Sequence, residues 1–287
     1  MSASDRPAAP VPGAAAPVPA NEPVVALAGV TKRFANGTLA LDQFSVAVRG
    51  GEFVTLLGPS GCGKSTVLRL IAGLVEPSAG AISWSRTGHA PTLPSPACGG
   101  GWGGGGVGFV FQEPTLMPWA TALRNVMLPL ELFGLDRAAA AKRAAAALER
   151  VGLAAFCDAY PRELSGGMRM RVSIARALVT DPPLMLMDEP FAALDEIARF
   201  KLNDDLLALW RAGRHTVVFV THSVFESVYL SSRIVVMSAR PGRVATEIAI
   251  DAPYPRDENF RTSAEYAGFC RIVSQALSRA IGEEGKP

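Results

Sequence analysis

Gly58-Pro59-Ser60-Gly61-Cys62-Gly63-Lys64-Ser65 fits the pattern G-x-x-x-x-G-K-[S/T]. An apolar run at residues 52–57 leads into it and reads as a strand; an apolar-periodic stretch at 65–74 follows and reads as a helix. That strand–loop–helix setting gives the motif its chemical meaning. The glycines let successive backbone N–H groups turn inward around a phosphate, and the helix N-terminus adds partial positive charge. Lys64 is expected to reach the β- and γ-phosphates of a nucleotide, Ser65 to ligate Mg²⁺ through its hydroxyl, and Thr66 to bind the nucleotide with the rest of the loop. Average residue usage produces such a match in roughly one chain in a hundred of this length; a strand and a helix in the right places make it rarer.

Outward from this loop the chain alternates strands and helices. Residues 24–30 and 41–48 read as strands, the second alternating Phe44, Val46 and Val48. Residues 81–85, 107–111, 184–188, 216–220 and 234–237 read as further strands. Helical patterns cover 121–152, Ala-rich from 136 onward, a stretch opened by Ser165-Gly166-Gly167 and running to about 178, and 197–211, where Phe200, Leu202, Leu206, Leu207 and Trp210 are expected to face the core. Such alternation predicts a parallel α/β sheet, with 112–164 as a helical insertion between strands. Residues 1–23 are rich in Ala and Pro and read as a disordered tail. Residues 86–106 hold Pro91, Pro94, Pro96 and a run of glycines around Trp102, a composition expected of a flexible surface insertion. Beyond 250, Tyr266, Phe269, Ile272, Val273, Leu277 and Ile281 predict one closing amphipathic helix.

Composition narrows the classes. A chain of 287 residues, 49% hydrophobic, can build one large core or two modest lobes. A net charge of +2 gives no electrostatic case for nucleic acid or an anionic membrane surface, and no nucleic-acid partner is expected. The four cysteines, Cys62, Cys98, Cys157 and Cys270, form no C-x-x-C pair; they suggest neither a zinc site nor a disulfide framework and fit a reducing compartment. No run of 18 apolar residues predicts a membrane span, and the N-terminus lacks the basic-then-apolar pattern of a signal peptide.

Two further motifs carry chemistry. Leu184-Met185-Leu186-Met187-Asp188-Glu189 is an apolar strand ending in acids. Asp188 is expected beside the nucleotide's Mg²⁺, and Glu189 is placed to polarise an attacking water. Leu164-Ser165-Gly166-Gly167 opens a helix with a capping serine and two glycines, a second anion-binding terminus. One nucleotide does not need both helix starts from one subunit. Two facing subunits would use one from each.

Taken in order, these residues resemble the nucleotide-binding subunits of ABC (ATP-binding cassette) transporters. The resemblance covers about 24–250 and rests on the loop at Gly58 to Ser65, Gln112 after a strand, Leu164 to Gly167, Asp188-Glu189, Leu194-Asp195, and His222 after the strand at 216–220. It implies a P-loop NTPase fold of ABC type: an α/β parallel-sheet core with an antiparallel β subdomain and a helical subdomain at about 113–178, then a helical extension over 251–287. It implies that Gln112 touches Mg²⁺ and the attacking water, that Asp188 holds Mg²⁺ through water, that Glu189 is the general base, and that His222 keeps the γ-phosphate and that base in register. Phe34 matches the aromatic that stacks on adenine. The signature residues Ser165, Gly166, Gly167 and Met168 would contact ATP bound by the opposite subunit, and Asp195 would contact that subunit. Gln usually stands where this chain has Met168, and again at Met170. Neither position needs a charge, so activity is expected to survive. Pro190 to Asp195, Leu116 to Trp119 and Met237 to Arg243 are similar to phrases of the nitrate, sulfonate and taurine importers. The implied protein is an ATPase using ATP and Mg²⁺, a homodimer on the cytoplasmic face of the plasma membrane. Separate permease chains and, indirectly, a solute-binding protein would be its partners. An exporter ATPase, a soluble ABC ATPase of translation or DNA repair, and a non-hydrolysing regulator are the alternatives.

Overall fold

A computed structural model describes residues 23–85, 106–213 and 215–282. The expected tail up to residue 22, the insertion at 86–105 and residues 283–287 lie outside them. Strands β1 (Pro23–Arg33), β2 (Leu39–Arg49) and β4 (Ala79–Trp84) pair antiparallel in the order β2-β1-β4. The period-two pattern works as expected: Phe44, Val46 and Val48 are buried, while Gln43, Ser45 and Ala47 between them face solvent.

The second sheet holds β3 (Phe53–Leu57), β5 (Val107–Val110), β6 (Leu184–Asp188), β7 (Thr216–Thr221), β8 (Arg233–Met237) and β9 (Val244–Ala249), in the order β5-β6-β7-β3-β8-β9. The first five are parallel; β9 runs antiparallel to β8 at the edge. β3 and β7 are buried along their whole length, which is why they read as unbroken apolar runs rather than alternating ones. β9 escaped the sequence reading because most of it is exposed, leaving no apolar pattern to follow.

Helix α1 (Lys64–Ile71) follows β3. Between β5 and β6 stand α2 (Ala122–Leu132), α3 (Arg137–Arg150) and α4 (Gly166–Leu178). The single helical pattern expected over 121–152 is two helices. The break falls at Gly134, whose φ of 81° suits the left-handed turn after a helix. Asp136 then caps α3 by accepting from the amides of Ala138 and Ala139, each at 3.0 Å. In α3 the buried stripe is Ala140, Ala144, Ala147 and Leu148, small side chains that let the helix pack close to its neighbours.

The remaining helices are α5 (Glu196–Gly213), α6 (Val224–Leu230), α7 (Glu258–Arg261) and α8 (Ala264–Gly282). On α5 Leu202, Leu206 and Leu207 are buried, but Phe200 is not: it is 41% exposed, with the Arg261 guanidinium 4.9 Å from its ring centre. The core stripe starts two residues later than the apolar pattern suggested. On α8 Val273 is buried, whereas Ile272 and Ile281 fall off the inward stripe and stay exposed. Phe53 anchors the core beneath α5, edge-on to Trp210 at 5.7 Å between ring centres and tilted against Phe219 at 5.9 Å.

His215 sits buried between α5 and β7, its Nδ1–H donating to the Pro182 carbonyl at 3.1 Å. Nε2 has no hydrogen-bond partner among the described residues, and the Asp181 carboxylate stands 3.9 Å away. Burial holds the imidazole below its ordinary value of 6.5, more strongly than Pro182 and Asp181 pull it back. The unfolded chain therefore takes up this proton first. The stability tied to His215 is complete above about pH 6.5 and is lost as pH falls below it. Urea unfolding across that range should show the decline in wild type and a flatter profile in His215→Gln; equal slopes would remove His215 as its source.

Candidate functional site

Parallel strands deliver their carboxyl ends to one edge of a sheet, and register sets those ends level. Leu57 pairs with Thr221 and with Val236, Asp188 with Val220, and Val110 with Met187. Five segments thus emerge side by side: the glycine loop after β3, Gln112 after β5, Glu189 after β6, His222 after β7, and residues 238–243 after β8. The glycine loop, Gln112, Glu189 and Arg240 line a cleft of about 450 Å³, while His222 stands behind it against Glu189.

The glycine loop forms the floor. Gly61 and Gly63 take φ of 75° and 107°, left-handed conformations that glycine alone adopts readily. Space forbids a side chain at Gly63 as well, since a Cβ there would lie 2.8 Å from both the Ala40 carbonyl oxygen and Leu41 Cδ2. Lys64 is buried at the start of α1. Its Nζ donates to the carbonyls of Gly58 (2.9 Å) and Pro59 (3.0 Å) and lies 3.7 Å from Glu189 Oε1. A buried ammonium needs such partners. Ser60, Gly61, Gly63, Ser65 and Thr66 line the cleft itself. Cys62 is buried beneath it, with Gly58 so close that a Cβ there would sit 2.9 Å from the sulfur. Burial pushes the Cys62 thiol above its ordinary value, partly offset by Lys64, so it fills space as a neutral group.

The Ser65 hydroxyl donates to Asp188 Oδ1 at 2.9 Å. Burial pushes the Asp188 carboxyl up from its ordinary value and this bond pulls it part way back. Glu189 lines the cleft with a backbone φ of 46°, its N–H held by the Val220 carbonyl at 3.0 Å. That left-handed backbone is strained for a non-glycine residue. It sets the carboxylate between Lys64 on one side and His222 Nδ1, 3.2 Å away, on the other. Thr221 is fixed in turn by Glu226 at 2.5 Å, whose carboxylate faces Arg199 of α5 at 3.6 Å. Phe34 and Gln112 complete the walls.

The signature residues stand elsewhere. Ser165 caps α4 by accepting from the Met168 amide at 3.3 Å, leaving a helix N-terminus open to solvent. Leu194 packs beside it, 3.6 Å from where a Cβ on Gly166 would lie. Asp195, next along, is exposed and caps α5 by accepting from the Ala198 amide at 2.9 Å. Ser165, Gly166, Gly167, Met168 and Asp195 all lie off the cleft. Met168 packs partly against the core and Met170 is buried in it, so both act as apolar filler. The cleft also takes in Thr38, Ala40 and Arg240, which sequence reasoning did not name as site residues. Arg240 was quoted only within a phrase of resemblance. The signal that points to it is its place just past the end of a parallel strand.

Adding a methyl at Gly63 should therefore disturb both the loop and its packing on β2. Gly63→Ala is expected to abolish the rise in melting temperature that a nucleotide gives the wild-type chain and to lower the nucleotide-free melting temperature as well. A retained nucleotide shift would show that the loop tolerates the side chain.

A sequence model of the family described as ABC transporter matches residues 41–192, more than half of the chain. An uncharacterized ABC transporter ATP-binding protein of Methanocaldococcus jannaschii is 48% identical over 246 residues, covering 86% of this chain and 87% of the relative. An aliphatic sulfonates import ATP-binding protein of Bacillus cereus is 41% identical over 258 residues, 89% of this chain and 96% of that one. Among solved structures, a dimeric ATP-binding cassette in a post-hydrolysis state, bound to ADP and Pi, matches with a TM-score of 0.69 at 34% identity, over 80% of this chain and 100% of the other. The chain belongs to the ABC transporter family and is an ATP-binding, ATP-hydrolysing cassette.

Proposed function

We propose that this chain is the ATPase subunit of an importer of the nitrate, sulfonate and taurine group. It works as a homodimer on the cytoplasmic face of the plasma membrane, beside separate permease chains served by a solute-binding protein. The observation that carries this reading is the division of the motif residues. Lys64, Ser65, Gln112 and Glu189 surround one cleft, while exposed Ser165 and Asp195 and half-buried Gly166 to Met168 form a patch away from it. A patch of that composition serves a nucleotide held by a second subunit. The aliphatic sulfonates import relative supports the transport class. In this reading residues 24–250 are the nucleotide-binding domain, with 113–178 as its helical part, and 251–287 are an extension.

Within the cleft, Phe34 stacks on adenine, and the loop from Gly58 to Thr66 wraps the phosphates with its backbone N–H groups. Lys64 exchanges the Gly58 and Pro59 carbonyls for phosphate oxygens. Ser65 and Asp188 already bring a hydroxyl and a carboxylate oxygen together, and Gln112 adds an amide oxygen, a hard-oxygen set that suits Mg²⁺. Mg²⁺ so held would neutralise phosphate charge. Glu189 takes the proton of the attacking water, and His222 holds that carboxylate in position.

Coupling to a permease is supported by the helical lobe. A groove of about 290 Å³ there is lined by Met117, Trp119, Arg124 and Leu128, with Trp119 77% exposed. Asn125 holds its rim, accepting from the Met117 amide (2.7 Å) and donating to the carbonyls of Ala120 and Thr121 (3.0 Å each). Arg176 of α4 donates to the carbonyls of Pro114 (2.8 Å) and Thr115 (2.9 Å). The segment from Gln112 to the groove is thereby tied to the helix that begins at the signature.

Glu189→Gln should lower turnover at least about 100-fold while ATP affinity is kept, read by phosphate release and nucleotide titration; normal turnover would remove Glu189 as the base. Pull-down of Glu189→Gln from native membranes with ATP should recover a polytopic permease, and adding Trp119→Ala should deplete it. Recovery of soluble partners alone would leave the cassette standing and the transport role without support.

A further inference from the structure

The loop from Ser238 to Arg243, between β8 and β9, is bound to both walls of the cleft. Gly242 donates its N–H to the Ala40 carbonyl (3.0 Å) and accepts from the Asp42 amide (3.1 Å), tying the loop to β2. A Cβ on Gly242 would lie 2.1 Å from the Cys62 carbonyl oxygen, so the loop also presses directly beneath the phosphate loop. Ser238 Oγ closes it internally, accepting from the Arg243 amide (3.0 Å) and donating to the Pro241 carbonyl (3.1 Å). Arg243 pairs with Asp42.

Arg240 stands at the tip. Its Nε donates to the Gly61 carbonyl at 2.7 Å, and its guanidinium lies across Gly61 so closely that a Cβ there would meet Nη2 at 2.7 Å. Among the described residues its Nη groups have no hydrogen-bond partner, although the side chain lines the cleft. Among the described residues the only other cation lining that cleft is Lys64. A guanidinium with one nitrogen fixed on the phosphate loop and the rest of its fork uncommitted is pre-organised for an oxyanion.

We propose that Arg240 is a nucleotide-binding residue, the second cation of the cleft, which takes a phosphate oxygen of the bound nucleoside triphosphate across Gly61. This rests on the reading of the cleft as the ATP site. It gives the phrase from Met237 to Arg243 a job: positioning a charge and setting the spacing between the base-binding and phosphate-binding walls.

The test is calorimetric titration of the wild-type chain, Arg240→Ala, Arg240→Gln and Arg240→Lys with ATP and with AMP. For ATP, Ala and Gln should weaken binding about tenfold, and Lys, which keeps a point charge, by no more than about threefold. The gap between wild type and Gln should narrow as salt is raised. AMP binding should change less than ATP binding in Ala and Gln. Equal ATP affinity in all four proteins overturns the proposal. So does equal weakening in Lys, Gln and Ala together with a lowered nucleotide-free melting temperature, which marks a purely structural staple. Equal losses for ATP and AMP overturn the polyphosphate contact. Failure of the wild-type chain to bind ATP would overturn the nucleotide reading and this proposal with it.

Discussion

Everything at the cleft depends on in-register parallel pairing around β3. β3 lies between β7 and β8, and β6 lies beyond β7, so four carboxyl ends reach the same edge, each one strand spacing from the next. β5 adds a fifth outside β6. Hydrogen bonds along the ladders hold those ends at fixed height. A one-residue slip of β6 would replace Glu189 at the cleft by a neighbour facing the other way. The buried side chains of β3, β6 and β7 make such a slip costly, because the whole apolar set would have to repack.

The charges are arranged so that the fold tolerates them without a ligand. Lys64 is satisfied by two carbonyls and the nearby Glu189 carboxylate, Asp188 by a serine hydroxyl and a raised proton affinity, and Glu189 also by His222. Lys64, Ser65 and Asp188 are also the groups that the proposed chemistry would redirect toward a triphosphate and its Mg²⁺. Binding then exchanges interactions instead of creating them from buried, unpaired charge, which would cost several kcal/mol per ion. The left-handed backbone at Glu189 is tolerated because β7 holds its amide through the Val220 carbonyl.

Rigid connections run outward from this centre. Arg176 links α4 to Pro114 and Thr115, Asn125 links α2 to the turn around Trp119, and the loop from Ser238 to Arg243 links the phosphate loop to β2. Guanidinium and amide groups serve well in these positions because one side chain can satisfy several carbonyls of a segment that lacks regular structure. Segments held this way transmit displacement instead of absorbing it, which suits the coupling proposed for the helical lobe.

The sequence by itself determined whatever depends on local chemistry or on short periods. The glycine spacing of the phosphate loop, the apolar run before Asp188-Glu189, the serine cap at 165 and the alternation in β2 are each readable within about ten residues, because each follows from backbone freedom, capping or pleat. What the chain could not disclose locally was decided by packing between distant segments. Phe200 reads as core and is exposed, because α5 turns Trp210 onto Phe53 and leaves Phe200 outside, beside Arg261. β9 has too few buried side chains to announce itself and exists because β8 offers it an open edge. Arg240 becomes a cleft residue only when strand order places the end of β8 beside that of β3, a juxtaposition of residues 179 apart. Local propensity writes the elements; the neighbours that each strand takes in the sheet decide which of their ends meet.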